Sequence, residues 1–269
     1  MFRSCRAALC FITLFALATV SSSLAATNSQ RPTPQGASGI TWAQQAMQAL
    51  TGGNPVSSVT ESGSVTAQLG GNQGQGSISL GSTGLMTNQL TLTISAGQLS
   101  ESRSWDGSNP SGQWTGLDGR VHQMAQQNCW TDAVWFFPAM SLLSDYLDPN
   151  LTFIDLGQVQ YSGGAAEHIQ VYRSFSFLPP DVQEQMQALT TVDFYLNSQT
   201  ALPIAMSFAS HGDQNINASI PVAIVFSQYQ SVNGVQVPYQ VVQLVNGSPF
   251  FQISITNAVV TGQNLPAHK

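Results

Sequence analysis

The chain has 269 residues, with seven Lys or Arg against 13 Asp or Glu and a formal net charge of −6. So few cations argue against partners that need a basic surface, such as nucleic acids and anionic lipid membranes. Because charged residues make up only 7% of the chain, the solubility of the protein depends largely on Gln, Asn, Ser and Thr.

The first 25 residues have the pattern of a secretory signal peptide. Arg3 and Arg6 precede an apolar stretch at residues 7–20, and Ser23-Leu24-Ala25 fits the cleavage rule. A membrane anchor is the alternative, but about 14 apolar residues are fewer than the roughly 20 that span a bilayer. No lipobox cysteine follows the apolar stretch. We therefore expect a periplasmic or extracellular protein whose one remaining cysteine, Cys129, forms no intramolecular disulfide.

The next part of the chain predicts a leader, a helix and several strands. Residues 26–37 are rich in Pro, Gln, Ser and Thr and indicate a flexible leader. Ser38 is a candidate N-cap for a helix over residues 39–50, which carries apolar side chains on one face at Ile40, Ala43, Met47 and Leu50. From residue 56 to 124, short alternating runs predict five or six antiparallel strands, with a hairpin turn at Asp118-Gly119.

Residues 128–147 interrupt this alternation with an aromatic, strongly apolar segment. Pro138 predicts two short helices or one kinked helix, with Trp135 packed onto the sheet. One interpretation is that this segment is simply part of the hydrophobic core, because a helix that covers a sheet is apolar on the side that faces the sheet. The other is a lid over a lipid-sized cavity. In that case the expected ligand-binding residues are Trp130, Phe136, Phe137, Met140 and Leu143.

The C-terminal half returns to strands. Residues 151–161 and 166–175 predict a hairpin across Ser162-Gly163-Gly164. A short helix over residues 179–189 begins at a Pro-Pro-Asp sequence, as helices often do. Two further strands are predicted at residues 192–196 and 204–208.

A polar loop is expected at residues 211–218, and residues 219–260 predict a three-strand antiparallel meander. Its turns are Asn233-Gly234 and Asn246-Gly247, a dipeptide that tolerates positive φ at both central positions. The alternating runs amount to about 10–11 strands. The expected fold is therefore α+β, mainly β, in one domain over residues 38–262, and residues 263–269 are expected to be a disordered tail.

Catalytic signatures are missing from the sequence, which has no G-x-S-x-G, H-E-x-x-H, C-x-x-C or Walker A motif. Cys129-Trp130 faintly resembles the Cys-Trp pair of papain-like proteases, but the flanking pattern is absent and a structural thiol is the expected role. His122, His168 and His211 lack the spacing of metal ligands. We expect no catalytic residue, no metal, no cofactor and a protein that is not an enzyme.

Two sequence segments and the order of the predicted elements resemble the periplasmic lipoprotein-carrier (LolA-like) superfamily. Residues 192–208 are similar to its strand–turn–strand unit, in which an Asn or Asp turn with a Thr leads into Leu-Pro, here Asn197, Thr200, Leu202 and Pro203. Residues 226–243 (FSQYQSVNGVQVPYQVVQ) resemble its hairpin, with an aromatic-x-x-Tyr, an Asn-Gly-Val and a Val-Pro.

The resemblance implies an unclosed half β-barrel, a single curved antiparallel sheet with helices covering its concave face. In that family the cavity holds acyl chains of lipoproteins or other lipids without catalysis. Its carriers also use basic residues near the cavity mouth, and no motif here assigns Arg103, Arg120 or Arg173 to that place.

The leading hypothesis is an exported, non-enzymatic, monomeric protein that binds a lipid or a lipoprotein acyl chain. An envelope protein is a further expected partner, and nucleic acid is not. The alternative is a structural or interaction domain whose cavity is filled by its own side chains. An aromatic lid and an aromatic core use the same residues, so both hypotheses stay open at this point.

Overall fold

The computed structural model describes residues 36–69, 72–106, 109–213 and 215–262. The expected signal peptide, residues 26–35 of the leader and the C-terminal tail lie outside these residues. Helix α1 spans Gly36–Thr51, so Ser38 lies inside the helix and the prediction that it is the N-cap is wrong. None of the helices in the described ranges has the length and apolar character needed to cross a membrane.

Thirteen strands make up most of the described chain, whereas about 10–11 were expected. The total was set too low, because each run predicted separately, five or six over residues 56–124 and seven after residue 150, forms a strand. The strands are β1 (Ser58–Leu69), β2 (Asn72–Ser82), β3 (Asn88–Ile94), β4 (Gly97–Trp105), β5 (Pro110–Thr115), β6 (Val121–Gln123), β7 (Leu151–Tyr161), β8 (Gly164–Arg173), β9 (Val192–Asn197), β10 (Pro203–Gly212), β11 (Asn215–Val232), β12 (Val235–Val245) and β13 (Ser248–Thr261).

The strands form one antiparallel sheet in the order β6-β5-β4-β3-β2-β1-β13-β12-β11-β10-β9-β8-β7. Strands β6 and β7 are its two edges, so the sheet is not closed into a barrel. The expected fold class, α+β and mainly β with a single unclosed sheet, is confirmed. The topology joins two meanders, β1–β6 and β7–β13, through the pairing of β1 with β13.

The two Asn-Gly turns of the C-terminal meander are confirmed. Asn233 and Gly234 have φ values of 52° and 83°, and Asn246 and Gly247 have 51° and 74°. These are the left-handed pairs that a two-residue hairpin turn requires. The polar loop expected at residues 211–218 is wrong, because β10 and β11 extend through most of it as a hairpin.

The two sequence segments that carry the family resemblance, residues 192–208 and 226–243, contact each other. Asn197 Oδ1 accepts the backbone N–H groups of Gln199 and Thr200, at 2.9 and 3.0 Å, and so forms the turn between β9 and β10. The hydroxyl of Tyr229 in β11 donates to the carbonyl oxygen of Pro203 at 2.7 Å. Tyr229 of the second segment therefore holds the Leu202-Pro203 turn of the first segment in place.

Between β6 and β7 lie a one-turn helix α2 (Gln126–Cys129) and two short 3-10 helices, Pro138–Met140 and Leu142–Asp145. The two short helices or one kinked helix expected over residues 128–147 form only in part, because residues 130–137 form turns and the two 3-10 helices follow them. Asp132 gives the physical reason. Its carboxylate accepts the N–H groups of Val134 and Leu142, and such side-chain bonds compete with helix formation. We call residues 126–137 the lid segment.

Helix α1 packs against β7, β8, β12 and both 3-10 helices. Its buried stripe consists of small residues and one leucine, Gly39, Ala43, Ala46 and Leu50, whereas Ile40 of the expected stripe is exposed. A Cβ atom on Gly39 would lie 2.9 Å from the carbonyl carbon of Phe153 in β7. The glycine therefore permits this close approach. Helix α3 (Pro180–Thr190) connects β8 to β9 and buries only its last two residues.

Candidate functional site

An apolar cavity of about 410 Å³ lies between the sheet and the lid segment. It is bordered by β3–β5 on one side, by β10–β13 on the other, and by Trp135 of the lid segment. This volume falls in the range of about 300–1,000 Å³ that is typical of small-molecule sites. Apolar side chains of its wall include Leu90, Trp114, Phe208, Val222 and Phe251.

The strand register explains why these side chains meet. In β3 every second residue is buried, from Asn88 through Leu90 and Leu92, and we call the sheet face that carries them the inner face. Across the ladder, Leu90 lies opposite Glu101, which lies opposite Trp114. On the other side of the cavity, Phe208, Val222 and Val245 form an equivalent row across β10, β11 and β12. The alternation of each strand therefore places one row on each side of the cavity.

Asn128 attaches the lid segment to β10. Its side-chain oxygen accepts the N–H of His211 at 2.8 Å and the hydroxyl of Ser210 at 3.2 Å. Its side-chain nitrogen donates to the carbonyl oxygen of His211, also at 2.8 Å. Gln127 adds a bond to the carbonyl oxygen of Gly212 at 3.0 Å. Because this amide binds both backbone groups of His211, it fixes the orientation of the lid segment relative to β10 as well as the distance between them.

Arg103 attaches the lid segment to the opposite side of the cavity. Its Nε donates to Glu101 Oε1 at 3.0 Å, and its Nη1 donates to the hydroxyl of Thr131 at 2.8 Å and to the carbonyl oxygen of Asn128 at 3.2 Å. The side chain of Arg103 is only 9% exposed. Glu101 also accepts from Asn88, which in turn donates to the carbonyl oxygen of Ala133. The lid segment is therefore held by β3 and β4 on one side and by β10 on the other.

Asp132 is buried within the lid segment. Its two oxygens accept the N–H groups of Val134 at 3.1 Å and Leu142 at 3.2 Å. Burial raises the pKa of Asp132 to about 6, although both hydrogen bonds and the positive charges of Arg103 and Arg173 act in the opposite direction. At neutral pH the ionised carboxylate therefore organises the turn between the lid segment and the second 3-10 helix.

A second buried acid, Glu61 of β1, is also on the inner face, next to Leu80 of β2 and Ala258 of β13. It is fully buried, and neither carboxylate oxygen has a hydrogen-bond partner in the described part of the chain. Burial raises the pKa of Glu61 well above its usual value. The side chain is therefore kept in its neutral form to well above the pH at which an exposed glutamate ionises.

The predicted ligand-binding residues occupy two different environments. Phe136, Phe137, Met140 and Leu143 are at most 2% exposed and belong to the hydrophobic core. Trp130 lies at the periphery, in edge-to-face contact with Trp105 and Phe175 at ring distances of 6.0 and 5.7 Å. In contrast, the cavity is bordered by Trp135, which the sequence placed against the sheet.

Sequence reasoning missed the polar residues of the cavity, Glu101, Arg103, Asn128 and Gln243. One signal was available. In β4, Leu99, Glu101 and Arg103 fall on one face by alternation, and two charges beside a partly buried leucine are unusual. No comparable signal existed for Gln243, because its surroundings depend on strands that are distant in sequence.

The thiol of Cys129 and the imidazole rings of His122 and His168 each have a structural contact in the described part of the chain. Cys129 is buried, burial raises the pKa of its thiol, and its Sγ lies 3.6 Å from the carbonyl oxygen of Ala125. His122 stacks on Trp114 at 4.1 Å, and His168 contacts Asp193 at 2.9 Å in another part of the sheet. Within the residues that the structure covers, no group of three His, Cys, Asp or Glu is placed to hold a metal ion.

A second cleft, of about 630 Å³, lies along β1–β6. Most of its lining residues are Ser, Thr, Gln and Gly, among them Thr60, Gln89, Ser102, Gln113 and Gln123. These five residues belong to one row of the ladder, on the face opposite to Leu90. Since ligand pockets are usually walled by apolar side chains, the cavity beneath the lid segment is the better candidate.

Comparisons with known proteins support the fold. No protein-family model matches the sequence, and no curated protein matches it. The structure is similar to that of a DUF1329 family protein from Desulfovibrio piger, with a TM-score of 0.54 and 10% identity, covering 85% of this chain and 94% of that chain. A domain from Vibrio parahaemolyticus, described as an outer membrane lipoprotein-sorting protein, aligns with a TM-score of 0.51 and 11% identity, covering 86% and 95%. At identities of 10% and 11%, these similarities concern the fold alone, and they agree with the expected single unclosed antiparallel sheet.

Proposed function

We propose that this protein is exported to the periplasm or the cell exterior and binds an apolar ligand, a lipid or the acyl chain of a lipoprotein, without catalysing a reaction. The observation that carries the proposal is an apolar cavity of about 410 Å³ under a lid segment that is held from both sides. Burial of apolar ligand surface in such a cavity supplies the driving force for binding.

Trp130, Phe136, Phe137, Met140 and Leu143 remain a prediction as ligand contacts. Since all of these side chains except Trp130 are core residues, an acyl chain would reach them by extending from the cavity into the space beneath the lid segment. This requires the lid segment to shift. The hydrogen bonds of Asn128 and Arg103 are the contacts that would open, because they join the lid segment to the two sides of the cavity.

A self-filled core is the second candidate, and the complete burial of Phe136, Phe137 and Leu143 favours it. Under this hypothesis the protein is a structural or interaction domain that acts through an envelope protein partner. In both cases we propose a monomer that does not bind nucleic acid, as its negative charge favours.

A pair of matched variants tests the proposal. Val245 lines the cavity, whereas Val242, three residues earlier on β12, points to the opposite face by alternation. Val245→Trp fills the cavity and should abolish uptake of a fluorescent acyl probe, whereas Val242→Trp should retain it. Loss of uptake in both variants, or in neither, would contradict binding in this cavity.

Native mass spectrometry of the protein purified from its own cell envelope complements this test. A mass increment of a lipid, present in the wild-type protein and absent from Val245→Trp, supports the proposal. A bare chain mass for the wild-type protein, together with no probe uptake, supports the self-filled core.

A further inference from the structure

Gln243 is a polar side chain at the wall of an otherwise apolar part of the cavity. It lies two residues before the end of β12, opposite Ile224 of β11 on one side and Phe251 of β13 on the other. Both neighbours are buried apolar residues. A glutamine in such surroundings usually forms hydrogen bonds within the protein, because an unpaired buried amide is costly.

Gln243 departs from this rule. Its Oε1 is buried and has no hydrogen-bond partner among the residues that the structure describes. The other polar groups at the cavity differ, since Arg103, Glu101, Thr131, Asn128 and Ser210 are joined in the hydrogen bonds that hold the lid segment. Gln243 takes no part in that network, and its Oε1 remains available as an acceptor for a ligand.

The charges at the cavity disfavour an anionic ligand. Arg103 is the one Lys or Arg among the described lining residues, and Glu101 neutralises it at 3.0 Å. Asp213 adds a further negative charge to the wall. A carboxylate in this cavity would lose its hydration without gaining an unpaired cation, which is unfavourable.

We infer that Gln243 binds the polar group of the ligand, and that this group is uncharged and both donates and accepts hydrogen bonds, as a hydroxyl or an amide does. A primary amide offers one acceptor oxygen and two N–H donors, so either group pairs with it directly. This inference rests on the proposed function and specifies its ligand class as an uncharged fatty alcohol or fatty amide rather than a free fatty acid.

The test compares four ligands with the same chain length, 1-decanol, decanamide, decanoate and methyl decanoate, at pH 8, where decanoate is ionised. Each ligand displaces the neutral fluorescent probe N-phenyl-1-naphthylamine from the protein. The wild-type protein should bind decanol and decanamide roughly three- to tenfold more tightly than methyl decanoate, which accepts but cannot donate a hydrogen bond. Decanoate should bind most weakly.

Gln243→Leu should abolish the preference for decanol and decanamide while leaving the affinity for methyl decanoate unchanged or higher. Gln236→Leu is the matched control. It is a glutamine on the same strand, seven residues earlier, and an odd spacing places it on the opposite face. This variant should keep the wild-type order of affinities.

The outcomes separate this inference from the proposed function. Uptake of all four ligands without discrimination, or the same preference in Gln243→Leu as in wild type, would overturn the role of Gln243 and leave the binding cavity intact. A wild-type protein that takes up neither the probe nor any ligand would overturn both proposals.

Discussion

Glu61 gives the sharpest test of the physical description of the core. It is fully buried on the inner face, and in the described part of the chain neither carboxylate oxygen has a hydrogen-bond partner. Glu61→Gln replaces a neutral acid by a neutral amide of the same shape. We expect this variant to remove the pH dependence that Glu61 contributes to the free energy of unfolding.

The sign follows from linkage. Burial raises the pKa of Glu61 in the folded protein well above its usual value of 4.5, so the folded state holds a proton that the unfolded state releases. The stabilisation is fully present below the unfolded pKa and is lost as the pH rises through the folded pKa. In this window the wild-type protein should lose up to about 1.4 kcal/mol per pH unit relative to Glu61→Gln. For a domain of this size that corresponds to roughly 3–5 °C in Tm per pH unit.

Thermal unfolding followed by circular dichroism from pH 4.5 to 8.5 measures this difference. Asp132 also has a raised pKa, of about 6, so its contribution to the pH dependence of stability has the same sign but ends near that pH. Both proteins contain Asp132, so subtracting the Glu61→Gln curve from the wild-type curve removes this contribution. Glu184→Gln, at an exposed site of α3, controls for the loss of one acid. Parallel Tm curves for the wild-type protein and Glu61→Gln over the whole range would refute the unpartnered burial of Glu61.

Three further predictions concern the lid segment, a turn and the core. Asn128→Ala should speed hydrogen exchange in residues 124–137 and cost about 1–3 kcal/mol, because it leaves the backbone groups of His211 unpaired. Gly234→Val should cost roughly 1–3 kcal/mol at a φ of 83°, and an unchanged melting temperature would show that the turn is misassigned. Phe136→Ala should cost about 3–5 kcal/mol in chemical unfolding, whereas Phe177→Ala, 79% exposed, should change stability by less than about 0.5 kcal/mol.

The sheet could be predicted from the sequence because its signals are local. Asn233-Gly234 and Asn246-Gly247 need positive φ, and their flanking runs alternate with the period of a strand. The same locality explains why the hairpins of β1–β6 were recognised. Each of those strands pairs with its neighbour in the chain.

The lid segment could not be predicted in this way. Every residue from Ala133 in the lid segment to Met140 in the 3-10 helix that follows is apolar, so the apolar pattern does not distinguish a helix from a turn. The structure of this segment is decided by a few polar contacts with partners far away in sequence. Asn128 and Arg103 are examples, since each reaches across the cavity edge to another element.

The cavity itself depends on register over long distances. Gln243 and Phe208 belong to different hairpins, and Leu90 comes from the other half of the sheet. Alternation shows which residues share a face of one strand, but it does not show which rows lie across from each other. This is why polar residues of the strands that line the cavity, such as Gln243, could not be predicted from the sequence.

The pairing of β1 with β13 has a consequence for how the chain acquires its structure. The contact between Ser62 and Thr256 joins residues that are 194 positions apart, whereas the other strands pair with a neighbour in the chain. Closing so long a loop carries a larger entropy cost than forming a hairpin, and contacts of this kind slow folding. We therefore expect each meander to assemble early and the pairing of β1 with β13 to form last. Because synthesis starts at the N-terminus, β1 is made long before β13, and the inner face is complete only after β13 has been made.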